Sequence, residues 1–377
     1  MSRAHQRDRV PASRKRRPTA IDLFAGCGGL TSGLYAAGFH VLAAVEKDDD
    51  AADSYAANHP KVKLYRSDIR EISPSDMRKQ FGFTKDNPLD LIAGCPPCQG
   101  FTRLTESNGR RDRRNQLVRE FLRFVRSLRP RACMMENVPG LLTRGKRYFR
   151  ELEKGLKAAG YKVTYEVVEL ADYGVPQFRK RLVLLAALSG RIEIPKATHR
   201  DPADSKSSAR QVWKTVRKAI STLPAPPLRS EVRARTASRR YKWHYARDLS
   251  SLVHRRLRHT IANGKDRTTL PPSLQLKCHK KQPDGHYDVY GVIDWDSPSP
   301  TITSGCTNAS KGRFGHPTAP RPLTATEAAL LQTFPRSYKF KGKGVESVAR
   351  QIGNALPRRF AKVVGKAVIR QLSEAIS

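Results

Sequence analysis

Short apolar runs alternate with segments of helical periodicity between Thr19 and Ala187. Runs such as 41–45 and 132–135 are typical of buried strands, and the intervening segment 117–128 carries apolar residues at helical spacing. Alternation of this kind is typical of a parallel sheet covered by helices on both faces. We therefore expect an α/β fold with a mostly parallel sheet over residues 19–190.

The composition changes beyond about residue 190. The stretch 191–320 is rich in proline, and residues 229–281 carry fifteen Lys and Arg against three acidic residues, interleaved with Tyr241, Trp243 and Tyr245. This pattern predicts a smaller, less regular domain that contacts an anionic polymer. A poorly ordered basic linker is the alternative, and the aromatic residues argue against it. Helical periodicity returns after residue 322.

The overall charge points to the same kind of partner. The chain of 377 residues has 71 Lys and Arg against 34 Asp and Glu, a formal net charge of +37. Such an excess predicts binding to nucleic acid or to an anionic membrane. The sequence has no run of 18 apolar residues, and its first 20 residues lack the apolar core of a signal peptide. We therefore expect a cytoplasmic protein that binds nucleic acid and no membrane.

The six cysteines are scattered without the spacing of a disulfide framework, which fits an intracellular protein. Cys95 and Cys98 could form a CxxC redox or zinc pair, or lie in the core. Cys278 and His279 with His286 could complete a zinc site, but their spacing is poor for one, and we expect no metal.

Three predicted strands end in residues suited to a nucleoside. The first is followed by Gly26-Cys27-Gly28-Gly29, the second ends at Glu46, and the third at Asp68. Glycines allow close approach of a ligand to the next helix, and a carboxylate after the second strand can accept hydrogen bonds from ribose hydroxyls. A nicotinamide dinucleotide site expects glycine or alanine where Thr31 stands. The pattern therefore favours S-adenosylmethionine.

A thiol follows the predicted strand over 89–93, in the turn Pro96-Pro97-Cys98-Gln99. A cysteine beside a methyl donor suits the methylation of a pyrimidine at C5. Addition of the thiolate to C6 makes C5 nucleophilic, provided that an acid protonates N3 during the addition. Glu136 follows the apolar strand 132–135 and would emerge at the same sheet edge. Arg179 and Arg181 would lie on one side of an extended segment, where they could hold a base carbonyl or a flanking phosphate.

Together these motifs resemble the DNA (cytosine-5) methyltransferases over roughly residues 19–372. The resemblance implies a Rossmann-like S-adenosylmethionine-dependent methyltransferase fold with a target-recognition domain. Its motifs are Asp22–Gly29, Pro97-Cys98-Gln99, Glu136-Asn137-Val138, Gln177–Arg181 and Gln351–Pro357.

For the cofactor, the resemblance implies that Phe24 packs on the adenine, that Glu46 binds the ribose and that Asn354 lies near the methionine portion. Asp68 and Ile69 would bind the adenine, and Lys47 stands where family members often carry an apolar or aromatic residue. The full expected set is Phe24, Ala25, Gly26, Gly28, Gly29, Glu46, Lys47, Asp68, Ile69, Pro96 and Asn354.

For the substrate, the resemblance implies that Cys98 attacks C6 of a cytosine flipped out of the duplex. Glu136 would hold N3 and Arg181 would contact O2, with Arg179 beside it. Residues 99–114 would form a mobile loop that closes on DNA. The expected DNA contacts are Gln99, Arg110, Arg111, Arg113, Arg114, Gln177 and Thr303.

We therefore predict a monomeric methyltransferase that acts on cytosine C5 of double-stranded DNA, of restriction–modification or orphan type, with a cognate restriction endonuclease as a candidate partner. A tRNA cytosine-C5 methyltransferase and a catalytically silent DNA-binding protein on the same scaffold remain alternatives. The expected organisation is a basic disordered arm (1–18), a catalytic domain (19–190), a target-recognition domain (191–340) and a C-terminal segment that returns to the catalytic domain (341–377).

Overall fold

A twisted sheet forms the centre of the computed structural model, which describes residues 16–97, 116–209, 211–234, 242–264, 266–281 and 287–374. In these residues the sheet has seven strands in the order β3-β2-β1-β4-β5-β7-β6. All of them run parallel except β7, which is antiparallel to β5 and β6. The strands are β1 (Thr19–Leu23), β2 (His40–Val45), β3 (Lys63–Tyr65), β4 (Leu91–Gly94), β5 (Ala132–Asn137), β6 (Lys162–Glu169) and β7 (Lys180–Ala187).

Helices cover both faces of this sheet. On one face α1 and α13 contribute Leu34 and Phe360 to a buried apolar cluster, and on the other α4 and α6 contribute Phe121 and Leu152. The helices are α1 (Gly29–Ala37), α2 (Asp49–Asn58), α3 (Pro74–Phe81), α4 (Leu117–Leu128), α5 (Gly140–Thr143), α6 (Lys146–Ala158), α7 (Val216–Ile220), α8 (Arg229–Ala234), α9 (Ser251–Asn263), α10 (Lys277–Lys281), α11 (Ala325–Leu331), α12 (Val345–Asn354) and α13 (Arg358–Glu374).

The predicted α/β architecture is confirmed, because β1, β4 and β5 are buried throughout their length and are covered by amphipathic helices. The predicted strands 41–45, 89–93 and 132–135 and the helical segment 117–128 agree with β2, β4, β5 and α4 to within two residues at each end. Helix α3 was not predicted. Its sequence is mostly charged and polar, and it buries only Pro74 and Met77.

The region beyond residue 190 is less regular, as its composition predicts. Its described strands are the two-residue pair β8 (His199–Arg200) and β9 (Gln211–Val212), and its core is a separate apolar cluster that also includes residues of α12. Trp243 and Tyr245 pack against this cluster, and the Trp243 indole donates a hydrogen bond to the carbonyl of Phe340 at 2.9 Å. Within the described residues, no helix is long and apolar enough to cross a membrane.

Candidate active site

A cavity of about 460 Å³ opens beyond the carboxyl ends of the parallel strands. This edge is where ligands bind in open α/β sheets. The cavity wall combines the ends of β1, β2, β4 and β5 with residues 350–356, so the C-terminal part of the chain closes a site that the first strands begin.

The loop between β1 and α1 bends sharply. Phe24 (φ 62°), Gly26 (φ 55°) and Gly28 (φ 94°) all have left-handed backbone, and at Gly26 and Gly28 glycine adopts it without strain. Phe24, Ala25, Gly26 and Gly29 line the cavity. Gly28 packs elsewhere: a Cβ there would lie 2.7 Å from the His59 ring.

Glu46 lies beside this loop at the end of β2. Its Oε2 accepts a hydrogen bond from the Gly26 amide at 2.7 Å, and its Oε1 accepts one from the Asp48 amide at 2.8 Å. Each carboxylate oxygen keeps a further lone pair, which can accept a hydroxyl hydrogen bond. Burial raises the pKa of Glu46 despite these two amides.

Asp68 lines the same cavity and caps the short 3₁₀ turn Ile69–Glu71 by accepting from the Arg70 amide. The Arg70 guanidinium binds the Asp68 carboxylate at 2.7 Å, and the Lys47 ammonium binds it at 3.2 Å. These bonds, chiefly those from Arg70, lower the pKa of Asp68, so the carboxylate is ionised near neutrality. Ile69 is buried and also lines the cavity.

The turn after β4 reaches the cavity through Pro96 and Pro97. The buried Asn137 side chain fixes this turn by donating to the Pro96 carbonyl at 3.1 Å. Cys95 also lines the cavity, where burial and then the charge of Glu136 raise the pKa of its thiol well above the usual value. The remaining predicted residues of this segment lie outside the described residues: Cys98, Gln99, Arg110, Arg111, Arg113 and Arg114.

Glu136 and Arg181 form an ion pair in the cavity wall. The Arg181 Nε lies 2.8 Å from the Glu136 Oε1, and the two side chains are only 13% and 9% exposed. The antiparallel pairing of β5 with β7 brings them together, since Glu136 lies opposite Val183 in the register. A carboxyl group and a guanidinium therefore face one cavity beside the Pro96-Pro97 turn.

Arg179 also lines this cavity, but its guanidinium is bound to the backbone. It donates to the carbonyls of Ile302 at 2.9 Å and of Gly353 at 3.0 Å. Gln177 is fully buried and accepts from the Ile302 amide at 2.8 Å. These two side chains tie the sheet domain to residues 302 and 353, and their expected contact with a base or with DNA stays a prediction.

Thr303 is exposed next to this tie. Its backbone approaches Gly353 so closely that a Cβ there would lie 2.2 Å from the Thr303 carbonyl carbon. Asn354 follows Gly353 and is exposed in the cavity wall. We call the contacts of Gln177 and Arg179 with residues 299–303 and 353–355 the seam.

The structure adds residues that sequence reasoning missed. Arg350 lines the cavity and binds Asp48, another lining residue, at 3.0 Å. Asp22 is fully buried behind the loop, where its Oδ2 accepts from the Thr31 hydroxyl at 2.6 Å and its Oδ1 has no hydrogen-bond partner. Burial raises the pKa of Asp22 to about 7. The ion pair between Arg350 and Asp48 joins α12 to the N-cap residue of α2, and no local sequence pattern connects these two elements.

The fold and this cavity define a nucleoside-binding α/β enzyme. A family model of C-5 cytosine-specific DNA methylases matches residues 19–370, and the chain belongs to that family. It is 37% identical over 358 residues to the Type II methylase M.HgiDII of Herpetosiphon aurantiacus, covering 93% of this chain and 95% of that protein. It is 32% identical to the Type II methyltransferase M1.HphI of Haemophilus parahaemolyticus, covering 93% and 87%.

Solved structures share the fold. A putative DNA modification methyltransferase encoded within an E. coli prophage superimposes with a TM-score of 0.68 at 24% identity, covering 94% of this chain and 99% of that one. The S. pombe Dnmt2 methyltransferase superimposes with a TM-score of 0.60 at 18% identity, covering 96% and 100%. The predicted family, fold and enzyme class are therefore confirmed: the protein is a DNA (cytosine-5) methyltransferase.

S-adenosylmethionine is the cofactor of this enzyme, and the cavity fits it. Phe24 supplies an apolar surface, Gly26 leaves room for a ligand because nothing lies within 4 Å of the place of its missing Cβ, and Glu46 keeps lone pairs for hydroxyl groups. The glycine-rich turn and the start of α1 offer the close backbone approach that a nucleoside ligand needs.

Proposed function

We propose that this enzyme methylates cytosine C5 in duplex DNA through a covalent adduct between Cys98 and C6 of a cytosine rotated out of the helix. The ion pair between Glu136 and Arg181 carries the proposal, because it shares one cavity with the glycine-rich loop and the Pro96-Pro97 turn. That combination supports a thiol, a proton donor and a nucleoside cofactor acting on one base.

The proposed chemistry begins at C6. The Cys98 thiolate forms the S–C6 bond while Glu136 gives a proton to N3, so the ring gains an enamine across C4 and C5 without a full negative charge. S-adenosylmethionine would supply the methyl group that C5 acquires and leave as S-adenosylhomocysteine, while N3 returns its proton to Glu136. A base then removes the C5 proton, the electron pair restores the C5–C6 double bond, and Cys98 leaves as thiolate. Arg181 orients Glu136 and holds the base through O2.

The test is covalent trapping. Wild-type enzyme, incubated with S-adenosylmethionine and a duplex containing 5-fluorocytosine at its methylated site, should give a complex that survives denaturing electrophoresis, since fluorine blocks loss of the C5 substituent. Cys98→Ser should give none. Cys278→Ser, at an exposed free cysteine, is the matched control. A trapped complex in Cys98→Ser would overturn the nucleophile, and methyl transfer to tRNA but not to duplex DNA would favour the tRNA alternative.

Within the same proposal, Glu46 binds the ribose, Asp68 and Ile69 bind the adenine, and Phe24 and Asn354 flank the cofactor. Glu46→Gln should weaken S-adenosylmethionine binding by roughly tenfold, the size of one lost charge-assisted hydrogen bond. Glu193→Gln, at a strongly exposed carboxylate, is the control. Equilibrium dialysis with labelled cofactor measures both, and equal affinities would contradict the ribose assignment.

We further propose that the enzyme is a cytoplasmic monomer of a restriction–modification or orphan system, with a cognate endonuclease as a possible partner in the first case. Residues 191–340 would read the DNA sequence, residues 19–190 would carry catalysis, and residues 341–377 would complete the cofactor site. The relatives named as Type II methylases support this reading. Bisulfite sequencing of DNA from a host expressing the gene would identify the methylated sequence.

A further inference from the structure

A second cavity, of about 520 Å³, lies at the end of the sheet strands opposite to the catalytic cavity. Its wall includes Pro88, Arg131 and Leu188, which stand just before β4, just before β5 and just after the antiparallel β7. These positions place it at the amino ends of the parallel strands. Neither the family motifs nor the proposed mechanism uses this cavity.

Four cationic side chains line it: Arg78, Lys85, Arg129 and Arg131. Arg131 binds Asp90 at 3.0 Å and the Leu372 carbonyl at 2.9 Å. Among the described residues, no carboxylate forms an ion pair with any of the other three. Arg78 makes one hydrogen bond of 3.5 Å to the Leu128 carbonyl, and its Nε is buried without a partner.

The rest of the wall is largely apolar, with Phe83, Pro88, Leu188 and Leu372. Asp90 is buried and already accepts from the Thr19 amide at 2.8 Å as well as from Arg131. Asp86, in the loop beside Lys85, is exposed and does not line the cavity. The cavity therefore combines an apolar floor with an excess of positive charge.

Arg129 occupies an unusual backbone position. It follows α4 as its C-terminal cap with φ 45° and donates its amide to the Val125 carbonyl at 2.9 Å. Glycine is the residue that this left-handed cap favours, and a side chain there costs roughly 1 kcal/mol. The exposed Arg129 side chain thus lines the cavity from a backbone position that favours glycine.

We propose that this second cavity binds a phosphate-bearing ligand of about nucleotide size. Guanidinium groups bind phosphate through paired N–H donors, an ammonium adds a point charge, and an apolar floor accommodates a base or sugar. The volume falls in the range of small-ligand pockets. The phosphate can come from the backbone of a second DNA segment or from a free nucleotide, since both present the same group.

Lys85 gives a local readout of occupancy. Wild-type protein is treated with an amine-acetylating reagent with and without inorganic pyrophosphate, and modification of individual lysines is followed by mass spectrometry. Pyrophosphate should slow acetylation of Lys85 severalfold and leave that of Lys154, exposed on α6, unchanged. Equal slowing of the two lysines, or none, would overturn the proposal.

The variant Arg129→Gly tests whether the protection of Lys85 against acetylation depends on this cavity. This variant removes one cation and supplies the residue that the backbone favours, so its fold should be kept or stabilised. Protection of Lys85 should be lost or strongly reduced. Arg150→Gln, at an exposed arginine of α6, removes the same charge elsewhere and should retain it. Full protection in Arg129→Gly would count against the site.

The source of the phosphate is separated by two further probes in the same footprint. A short dA·dT duplex contains no cytosine, and adenosine triphosphate has no duplex structure. Protection by the duplex assigns DNA backbone, whereas protection by the nucleotide alone assigns a free nucleotide. Either result supports the cavity, and both are independent of Cys98, so this test can fail while the proposed methyl transfer holds.

Discussion

The sheet domain and the region 191–340 are held by different kinds of hydrogen bond. In the sheet, ladders of backbone bonds join strands of up to eight residues. In the second region the described strands are two residues long. The region is fastened to the sheet domain by isolated backbone bonds, such as the Phe178 amide to the Ser299 carbonyl at 2.8 Å, and by side chains. Gln177 accepts from the Ile302 amide at 2.8 Å, and Thr301 donates to the Phe178 carbonyl at 2.7 Å.

The effect of a single substitution therefore differs between the two regions. A ladder shares its stability among many equivalent bonds, so a substitution in the sheet domain acts mainly where it touches chemistry or a buried charge. The seam depends on a few polar side chains that satisfy buried backbone groups, and losing one leaves several groups unpaired.

The largest effect is expected in the chemistry of the sheet domain. Glu136→Gln should lower the rate of methyl transfer by about 10²- to 10⁴-fold, because an amide cannot deliver the proton that accompanies addition at C6. Single-turnover incorporation of labelled methyl into duplex DNA measures this, with Glu193→Gln as the control. A loss below tenfold would remove Glu136 from the proton-transfer role.

The second effect is the pH dependence of stability that the buried Asp22 causes. Because the pKa of Asp22 is raised to about 7, the folded state holds a proton that the unfolded state releases near pH 4. The contribution of Asp22 to the free energy of unfolding therefore falls as pH rises from 4 to 7. Asp22→Asn should remove this loss, a difference of up to about 4 kcal/mol in unfolding free energy between the two pH values.

Urea unfolding of wild type and Asp22→Asn at several pH values measures this difference. The gap between the two proteins should widen in favour of Asp22→Asn as pH rises. Parallel pH profiles would contradict the shift.

The third effect tests the seam. Arg179→Ala should lower the free energy of unfolding by about 3 kcal/mol, because the buried carbonyls of Ile302 and Gly353 lose their donor. Arg150→Ala, at an exposed arginine, should change it by less than about 0.5 kcal/mol. Equal free energies of unfolding for the two variants, measured in urea, would contradict the view that single side chains of the seam carry stability.

The smallest effect concerns the close packing of Gly353 against Thr303, beside the seam. Gly353→Ala should cost about 1–3 kcal/mol, because the new Cβ would overlap the backbone of Thr303 and force it to move. Gly344→Ala is the control: its φ is −175° and its nearest neighbour would be a side-chain atom at 3.5 Å. Thermal unfolding compares them, and a larger loss in Gly344→Ala would contradict this close packing.

The sequence predicted the strand-end residues well because parallel strands share one edge. Glu46 and Glu136 each follow an apolar run, Asp68 lies three residues after the end of β3, and the structure brings all three to one cavity. The roles of Gln177 and Arg179 could not be predicted, since their partner Ile302 lies more than a hundred residues away in a region without periodicity. Asp22 stands in a motif of the resemblance, but its raised pKa could not be predicted, because a lone acid in a strand becomes informative only when its burial is known.

The packing of α13 against α1 has a consequence for how the enzyme is made. Gly33 lies so close to α13 that a Cβ there would be 2.3 Å from that of Ala361, and residues 350–356 close the cavity wall. A nascent chain on the ribosome therefore exposes the glycine-rich loop long before the helices that complete its surroundings exist. The cavity proposed for the cofactor is therefore complete only after α12 and α13 have been synthesised.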